Sequence, residues 1–162
     1  MKTAILAAAL VLASSAANAQ QERTFSLPTT ATAYEQAKTL QAVNEWNVAL
    51  RGAARLVLLD RGSPAEWQID FDTSRMVDMR ENACEAHQLV RRIHCNPRAF
   101  VSRPDRPVPC NFAATISHEV GHALGIFDHP GGLMREKCHQ YEHPVDEATA
   151  RAALNALKAV RQ

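Results

Sequence analysis

The sequence predicts an α+β domain, and three observations carry that prediction. Apolar residues recur at helix-like intervals over residues 33–54 and again over residues 143–162. Two segments rich in strand-forming residues, 55–60 and 66–72, are separated by a turn-forming Arg-Gly-Ser-Pro stretch. A further apolar segment, 112–124, is followed by glycines that stop a helix. The order helix, strands, helix, loop and helix is typical of the α+β class.

The segment before the first helix, residues 20–32, is predicted to be an irregular arm. The apolar spacing of that helix indicates a buried face that packs Trp46 and Leu50 into the core. The residues that define this face are Ala33, Ala37, Leu40, Val43, Trp46 and Leu50. Two additional short strands are expected within residues 87–95 and 98–103.

The two later helices have recognisable start signals. Residues 102–110 contain three prolines and should form an extended loop, after which Asn111 is expected to be an N-cap. Pro144 suits the first turn of the last helix, and Asp146 lies near the positive end of its dipole. The buried stripe of this helix should consist of Val145, Ala153, Leu154, Leu157 and Val160.

Residues 1–19 are interpreted as a signal peptide. Lys2 precedes an alanine-rich apolar run that is too short for a good membrane span, and Ala-Asn-Ala offers small residues around a cleavage point. The length and composition of the run disfavour the alternative, a membrane anchor. Residues 20–162 are then expected to form a single exported domain, secreted or periplasmic, of a size that one core can support.

The charge balance gives no reason to expect nucleic acid or a membrane as partner. The chain has 18 basic and 17 acidic residues, and removal of Lys2 with the signal peptide makes the two numbers equal. Most of the arginines are spread over residues 51–106 and do not alternate with aromatic residues, which is typical of a solvated surface.

Four cysteines in an exported chain are predicted to form two disulfides. An even count favours disulfide bonds, and the spacing matches no cysteine-rich zinc motif. Three connectivities are possible, and we favour Cys84–Cys95 with Cys110–Cys138. The second bridge would close the segment that contains the helix of residues 112–124 into a loop and limit its opening.

His118, Glu119 and His122 form the pattern His-Glu-x-x-His. On a helix the two histidines lie on one face, one turn apart, and can bind a single zinc ion. Glu119 is about 100° further round the helix, where its carboxylate suits a general base acting on water in peptide hydrolysis. The plainer interpretation, two surface histidines on an ordinary helix, is disfavoured by the apolar turn that precedes them.

A catalytic zinc site needs a third protein ligand, and Gly125 indicates where the chain turns to supply it. Glycine tolerates a positive φ at a helix C-terminus, so the following residues can pass close to the metal. Asp128 and His129 are both candidates, and on physical grounds the choice stays open. If His129 is the ligand, Asp128 is a candidate hydrogen-bond acceptor for it.

The pattern H-E-x-x-H-x-x-G-x-x-D at residues 118–128 resembles the zinc motif of metzincin proteases. The form with aspartate as third ligand is found in small, snapalysin-like neutral proteases, and the close resemblance covers residues 118–134. It implies a zincin-type domain with a small mixed sheet, an N-terminal helix, an active-site helix, a Met-turn and a C-terminal helix. Met134 lies where the Met-turn methionine is expected.

The resemblance also implies roles for individual residues. It implies one catalytic zinc ion, held by His118, His122 and Asp128, with His129 as the alternative third ligand. Glu119 would be the catalytic base.

The chain departs from the family pattern at two positions. Some metzincins have tyrosine at the position of Glu136, and snapalysin relatives tend to have tyrosine at the position of Pro130. The residue that stabilises the oxyanion is therefore unassigned, and the candidates are His129, His139 and Tyr141.

These patterns lead us to expect an exported zinc endopeptidase with a protein or peptide substrate, which we expect to be a monomer. The alternative from another class is a non-catalytic zinc- and peptide-binding protein on the same fold. Retention of Glu119 disfavours that alternative, because a pure binding protein has no use for a base beside the water. An amidase that acts on a cell-wall peptide or another amide would use the same residues.

Overall fold

The computed structural model describes residues 20–71, 83–102, 104, 108–129, 132–134 and 144–160. Within them the chain forms β1 (Gln21–Ser26), α1 (Ala33–Leu50), β2 (Ala54–Leu58), β3 (Trp67–Asp70), β4 (Cys84–His87), β5 (Arg92–Cys95), a 3-10 helix (Pro97–Phe100), α2 (Phe112–Ala123) and α3 (Glu147–Ala159). The predicted α+β class is therefore confirmed. The finer metzincin-type fold stays a prediction, and the predicted signal peptide, residues 1–19, lies outside the described residues.

The described strands form one mixed sheet in the order β2-β1-β3-β5-β4. β1 runs parallel to β2 and β3, β3 runs parallel to β5, and β4 runs antiparallel to β5. β4 thus forms one edge of this sheet, and α2 packs beside it. The edge strand and the helix that carries the His-Glu-x-x-His pattern are neighbours.

The irregular arm predicted over residues 20–32 was wrong for Gln21–Ser26, which form β1. This strand lies between β2 and β3, and its Phe25 is fully buried. The preceding Gln-Glu-Arg-Thr stretch is polar, so its sequence gives no apolar alternation. Its conformation is determined by pairing with strands that are distant in the sequence. Local strand propensity does not report such pairing.

The strand expected within residues 87–95 exists only as Arg92–Cys95, which pairs with β4 in a hairpin. The turn between the two strands contains Leu89 and Val90, whose side chains are exposed, and it closes with Arg91 at φ 50°. An apolar pair at a turn is indistinguishable by pattern from an apolar pair in a strand. The sequence pattern therefore predicted a strand that includes the residues of the turn.

The strand expected within residues 98–103 was also wrong. Pro97–Phe100 form a 3-10 helix, which the Asn96 side chain caps by accepting a hydrogen bond from the backbone N–H of Arg98. Proline has no N–H for a strand ladder and suits the first position of a helical turn. The cap at Asn96 and the proline at residue 97 therefore outweigh the strand propensity of the apolar residues that follow.

Helix α1 begins at a capping box, in which Thr32 and Glu35 each accept a hydrogen bond from the other's backbone N–H. The predicted buried face is correct in its second half, where Val43, Trp46 and Leu50 are buried. It is wrong in the first half, where the predicted residues are exposed: Ala33, Ala37 and Leu40. Thr39 is buried there instead, because its hydroxyl donates to the carbonyl of Glu35 at 2.8 Å and so carries no unsatisfied donor.

Helix α2 is the centre of the fold. Asn111 caps it as predicted, with a side chain that accepts from the N–H of Ala114 at 3.0 Å. Every residue from Phe112 to Gly121 is buried, and the indole N–H of Trp46 donates to the carbonyl of Ser117 at 2.8 Å. A helix buried on all sides has a fixed rotation, so the directions of its functional side chains are also fixed.

Asp146 is the N-cap of α3, which buries Ala153 and Leu157 as predicted. Val145 and Leu154 are half-buried and pack against the core. The prediction for Val160 was wrong, because this residue is the C-cap and its side chain is 71% exposed.

The predicted disulfide between Cys84 and Cys95 is confirmed and joins β4 to β5. The other predicted bridge joins Cys110, which is buried, to Cys138, which lies outside the described residues, so that pairing stays a prediction. Among the described helices, none has both the length and the apolar character that crossing a membrane would require.

Candidate metal centre

The two histidines of α2 face one another across one helical turn. The rings of His118 and His122 have centroids 4.8 Å apart and meet edge to face. Their Nε2 atoms are 3.1 Å apart. The i, i+4 spacing in the sequence therefore brings two potential ligand atoms together as predicted.

The other ring nitrogen of each histidine contacts a backbone carbonyl. Nδ1 of His118 lies 2.9 Å from the carbonyl oxygen of Leu133, and Nδ1 of His122 lies 2.6 Å from that of Ile126. A carbonyl oxygen can only accept, so each Nδ1 must carry the proton and donate. In the neutral rings the Nε2 atoms are then the unprotonated ones, and an unprotonated ring nitrogen is the kind of atom that binds a metal.

Two unprotonated Nε2 atoms at 3.1 Å cannot hydrogen-bond to each other. A cation between them could be bound by both nitrogens. Two nitrogens on a tetrahedral zinc ion, each about 2.0–2.1 Å from the metal, are about 3.3 Å apart. The spacing in this site is therefore close to that of two ligands of one zinc ion.

Burial lowers the pKa of His122, the carbonyl of Ile126 opposes this change, and the nearby His129 lowers the pKa further. The net effect favours the neutral ring. A neutral imidazole is the form that binds metal, so the environment of His122 suits a ligand at neutral pH.

A third ring, that of His129, completes the group. Its centroid lies 5.3 Å from that of His118, with nearly parallel planes, and 5.0 Å from that of His122. One ligand atom from each of the three histidines lies within 4.8 Å of the others. These three residues could hold a metal ion.

Asp128, the preferred third ligand from the sequence, does not belong to this group of ligand atoms. Both Asp128 and His129 are exposed on the loop after α2. The arrangement of rings favours the alternative, His129, and the role of Asp128 stays a prediction.

No protein-family model and no curated protein matches this sequence. Two features of the chain decide how the candidate metal centre is built: the way in which α2 ends, and the segment that lies beneath it.

Helix α2 ends in a Schellman motif, which also positions the acceptor for His122. The N–H of Gly125 donates to the carbonyl of His122 at 2.9 Å, and the N–H of Ile126 donates to that of Gly121 at 3.1 Å. Gly125 has a φ of 96°, which confirms the sharp turn expected there. The reversed chain brings the Ile126 carbonyl to His122 and continues to His129.

Met134 lies beneath α2. Its side chain is fully buried, and a Cβ added at Gly121 would lie 2.5 Å from its sulfur and 3.3 Å from the ring of Trp46. The absence of a side chain at residue 121 lets Met134 pack directly under the turn between His118 and His122. Met134 is thus packed against α2, and its role as a Met-turn methionine stays a prediction.

Glu119 is buried, with 4% of its surface exposed, and within the described residues its Oε2 atom has no hydrogen-bond partner. Burial raises the pKa of Glu119 from 4.5 to about 8, a backbone hydrogen bond from Ala86 opposes the rise, and the charge of Glu85 adds to it. An unpartnered carboxylate oxygen in a buried position is costly for a residue with only a structural role.

Sequence reasoning missed the contribution of the β4–β5 hairpin to this site. The backbone of Ala86 in β4 faces Glu119, and the side-chain amide of Gln88 donates to the carbonyl of His122. No local pattern indicated that residues 84–88 lie beside α2, because the contact depends on sheet order. The predicted oxyanion candidates His139 and Tyr141 lie outside the described residues.

The pKa of Glu119 predicts how the stability of the metal-free protein depends on pH. The group is protonated more readily in the folded than in the unfolded chain, so its contribution is full below about pH 4.5 and is lost as the pH rises towards 8. At about 1.4 kcal/mol per pKa unit, the loss is at most about 5 kcal/mol. His122, whose pKa is lowered, changes stability in the opposite sense, so the wild type alone does not isolate Glu119.

Urea unfolding with a chelator present, at pH 5 and pH 8, measures this effect. Glu119→Gln should remove the part of the pH dependence that is due to Glu119. The free energy of unfolding of the variant should therefore rise relative to that of the wild type between pH 5 and pH 8. Parallel curves for the two proteins would contradict the buried, unpartnered carboxyl.

Proposed function

We propose that this protein is an exported, metzincin-type zinc endopeptidase. In this proposal His118, His122 and His129 hold one zinc ion, with Asp128 as the alternative third ligand, and Glu119 is the general base. The observation that carries it is the pair of Nε2 atoms that lie 3.1 Å apart beside a third histidine.

The donor set supports zinc. Three imidazoles are a frequent set of protein ligands in catalytic zinc sites, where one further position stays open. Zinc in such a site supplies a Lewis acid for a carbonyl oxygen and lowers the pKa of water to near 7. The backbone acceptors of His118 and His122 are the kind of outer contact that keeps ligating histidines in one tautomer.

Glu119 would hold and move the proton. A cation at the three histidines favours the ionised form of this carboxyl and opposes the effect of burial, so Glu119 becomes a base when the site is charged. Its Oε2 atom can accept the proton of the attacking water. As the carbon–oxygen bond forms and the carbon–nitrogen bond breaks, the same carboxyl can return the proton to the departing amine.

The proposal is tested with the purified mature protein, by zinc content and casein hydrolysis. We expect one zinc ion per chain, hydrolysis that a chelator abolishes, and recovery when zinc is added back but not when calcium is added. Zinc without cleavage of casein or of a random peptide library would favour a non-catalytic zinc- and peptide-binding protein. Failure to bind zinc would contradict the whole site.

A further inference from the structure

Asp146 contacts two parts of the fold at once. Its Oδ1 atom accepts from the N–H of Thr149 at 2.9 Å, which caps α3. Its Oδ2 atom accepts from the hydroxyl of Thr149 at 2.9 Å and from the N–H of Leu133 at 3.3 Å. One carboxylate therefore links the start of α3 to the segment that passes beneath the metal centre.

Leu133 continues this connection to a metal ligand. Its carbonyl oxygen accepts the Nδ1 proton of His118 at 2.9 Å, and its side chain is fully buried. The position of residue 133 thus sets both the tautomer and the ring direction of His118. Asp146 holds the same residue through its backbone N–H.

The approach of Asp146 to this segment is too close for a side chain at residue 132. Gly132 has a φ of 59°, and a Cβ added there would overlap the Oδ2 atom of Asp146. The positive φ and the missing Cβ of Gly132 together allow the backbone to approach this carboxylate closely.

Asp146 is also kept in its ionised form, in which both carboxylate oxygens accept hydrogen bonds. Burial alone would raise the pKa of Asp146, but hydrogen bonds from Thr149, Leu133 and Ala148 outweigh burial and lower it below its usual value. Asp146 therefore stays ionised, and able to accept, at neutral pH.

We propose that Asp146 is a positioning residue for the metal centre, which fixes the ring of His118 by holding residue 133. This inference rests on the proposed zinc site, but not on peptidase activity. The carboxylate acts at one remove from the ligand, through the backbone of Leu133. Changes to partners of metal ligands reduce metal affinity by about 10- to 100-fold, so we expect about tenfold here.

Asp146→Ser separates this role from helix capping. Serine is as good an N-cap as aspartate, so the bond from the Thr149 N–H can be kept, but its shorter side chain does not reach Leu133. We expect zinc affinity to fall about tenfold, as measured by competition with a chromophoric chelator. The visible absorption of the cobalt(II) form should also change, because the direction of the His118 ring affects the ligand field.

Thr149→Val is the matched control. It removes the hydroxyl donor to the same carboxylate, keeps a β-branched shape at a buried position, and leaves the bond to Leu133. Its zinc affinity and cobalt spectrum should match the wild type. If Asp146→Ser does not fold, Asp146→Asn provides the second test, because an amide has one oxygen where the carboxylate uses two.

The outcomes are distinguishable from those of the proposed function. Wild-type zinc affinity and an unchanged cobalt spectrum in a folded Asp146 variant overturn the positioning role and leave the protease proposal intact. Weaker zinc binding in Asp146→Ser, together with wild-type zinc binding in Thr149→Val, supports the positioning role even if the wild type cleaves no peptide. A wild type that binds no zinc overturns both.

Discussion

Glu119→Gln is expected to bind zinc like the wild type and to lose almost all peptide hydrolysis. Glutamine has nearly the same shape as glutamate but cannot take a proton from water. General base catalysis contributes about 10²- to 10⁴-fold, so kcat/KM should fall by at least about 100-fold. The loss should appear mainly in kcat, because the substituted group acts on the reaction and not on the binding of the peptide.

The measurement compares kcat/KM for an internally quenched peptide with the zinc content of the same samples. Glu22→Gln is a suitable control, since it makes the same substitution at an exposed position on β1, where the carboxylate lies 3.8 Å from Arg55. The control should keep wild-type activity. Hydrolysis by Glu119→Gln at the wild-type rate would exclude Glu119 as the base.

His129→Ala should weaken zinc binding by more than about 100-fold, whereas Asp128→Ala should change it little. Partners of ligands account for about 10- to 100-fold, and loss of a ligand itself should exceed that range. The physical reason is the grouping of three rings, in which His129 contributes a ligand atom within 4.8 Å of those of His118 and His122.

Chelator competition on the two variants decides which residue completes the site. His87→Ala provides the histidine control, because this exposed residue of β4 packs its ring against that of His94 and is not a member of the three-histidine group. A large loss in Asp128→Ala with little change in His129→Ala would instead establish the aspartate that the family resemblance favours. In that case zinc binding would have to bring the Asp128 carboxylate into the group that His118 and His122 begin.

Much of α2 could be predicted from the sequence, because its signals are local. Asn111 caps its own helix three residues on, and Gly125 ends it. The spacing of His118 and His122 fixes their common face whatever surrounds the helix. Each of these features depends on residues within about one or two turns of each other.

The other parts of the site depend on contacts between distant segments. β1 carries few apolar residues and becomes a strand because β2 and β3 pair with both its edges. The proximity of β4 to Glu119 follows from sheet order, and the link from Asp146 to His118 passes through backbone atoms. Asp128 and His129 are adjacent in the sequence, and the path of the turn after Gly125 decides which of them reaches the other two histidines. The sequence spacing alone does not determine that path.

The acceptors that orient His118 and His122 are carbonyls of Leu133 and Ile126, and every residue type carries such a carbonyl. Exchange of either residue for another apolar one leaves the acceptor in place. Insertion or deletion of one residue between His122 and Ile126 would move the acceptor away from its ring. During evolution this segment should therefore keep its length and Gly125, whose φ is 96°, while the side chains of residues 123, 124 and 126 vary among apolar types.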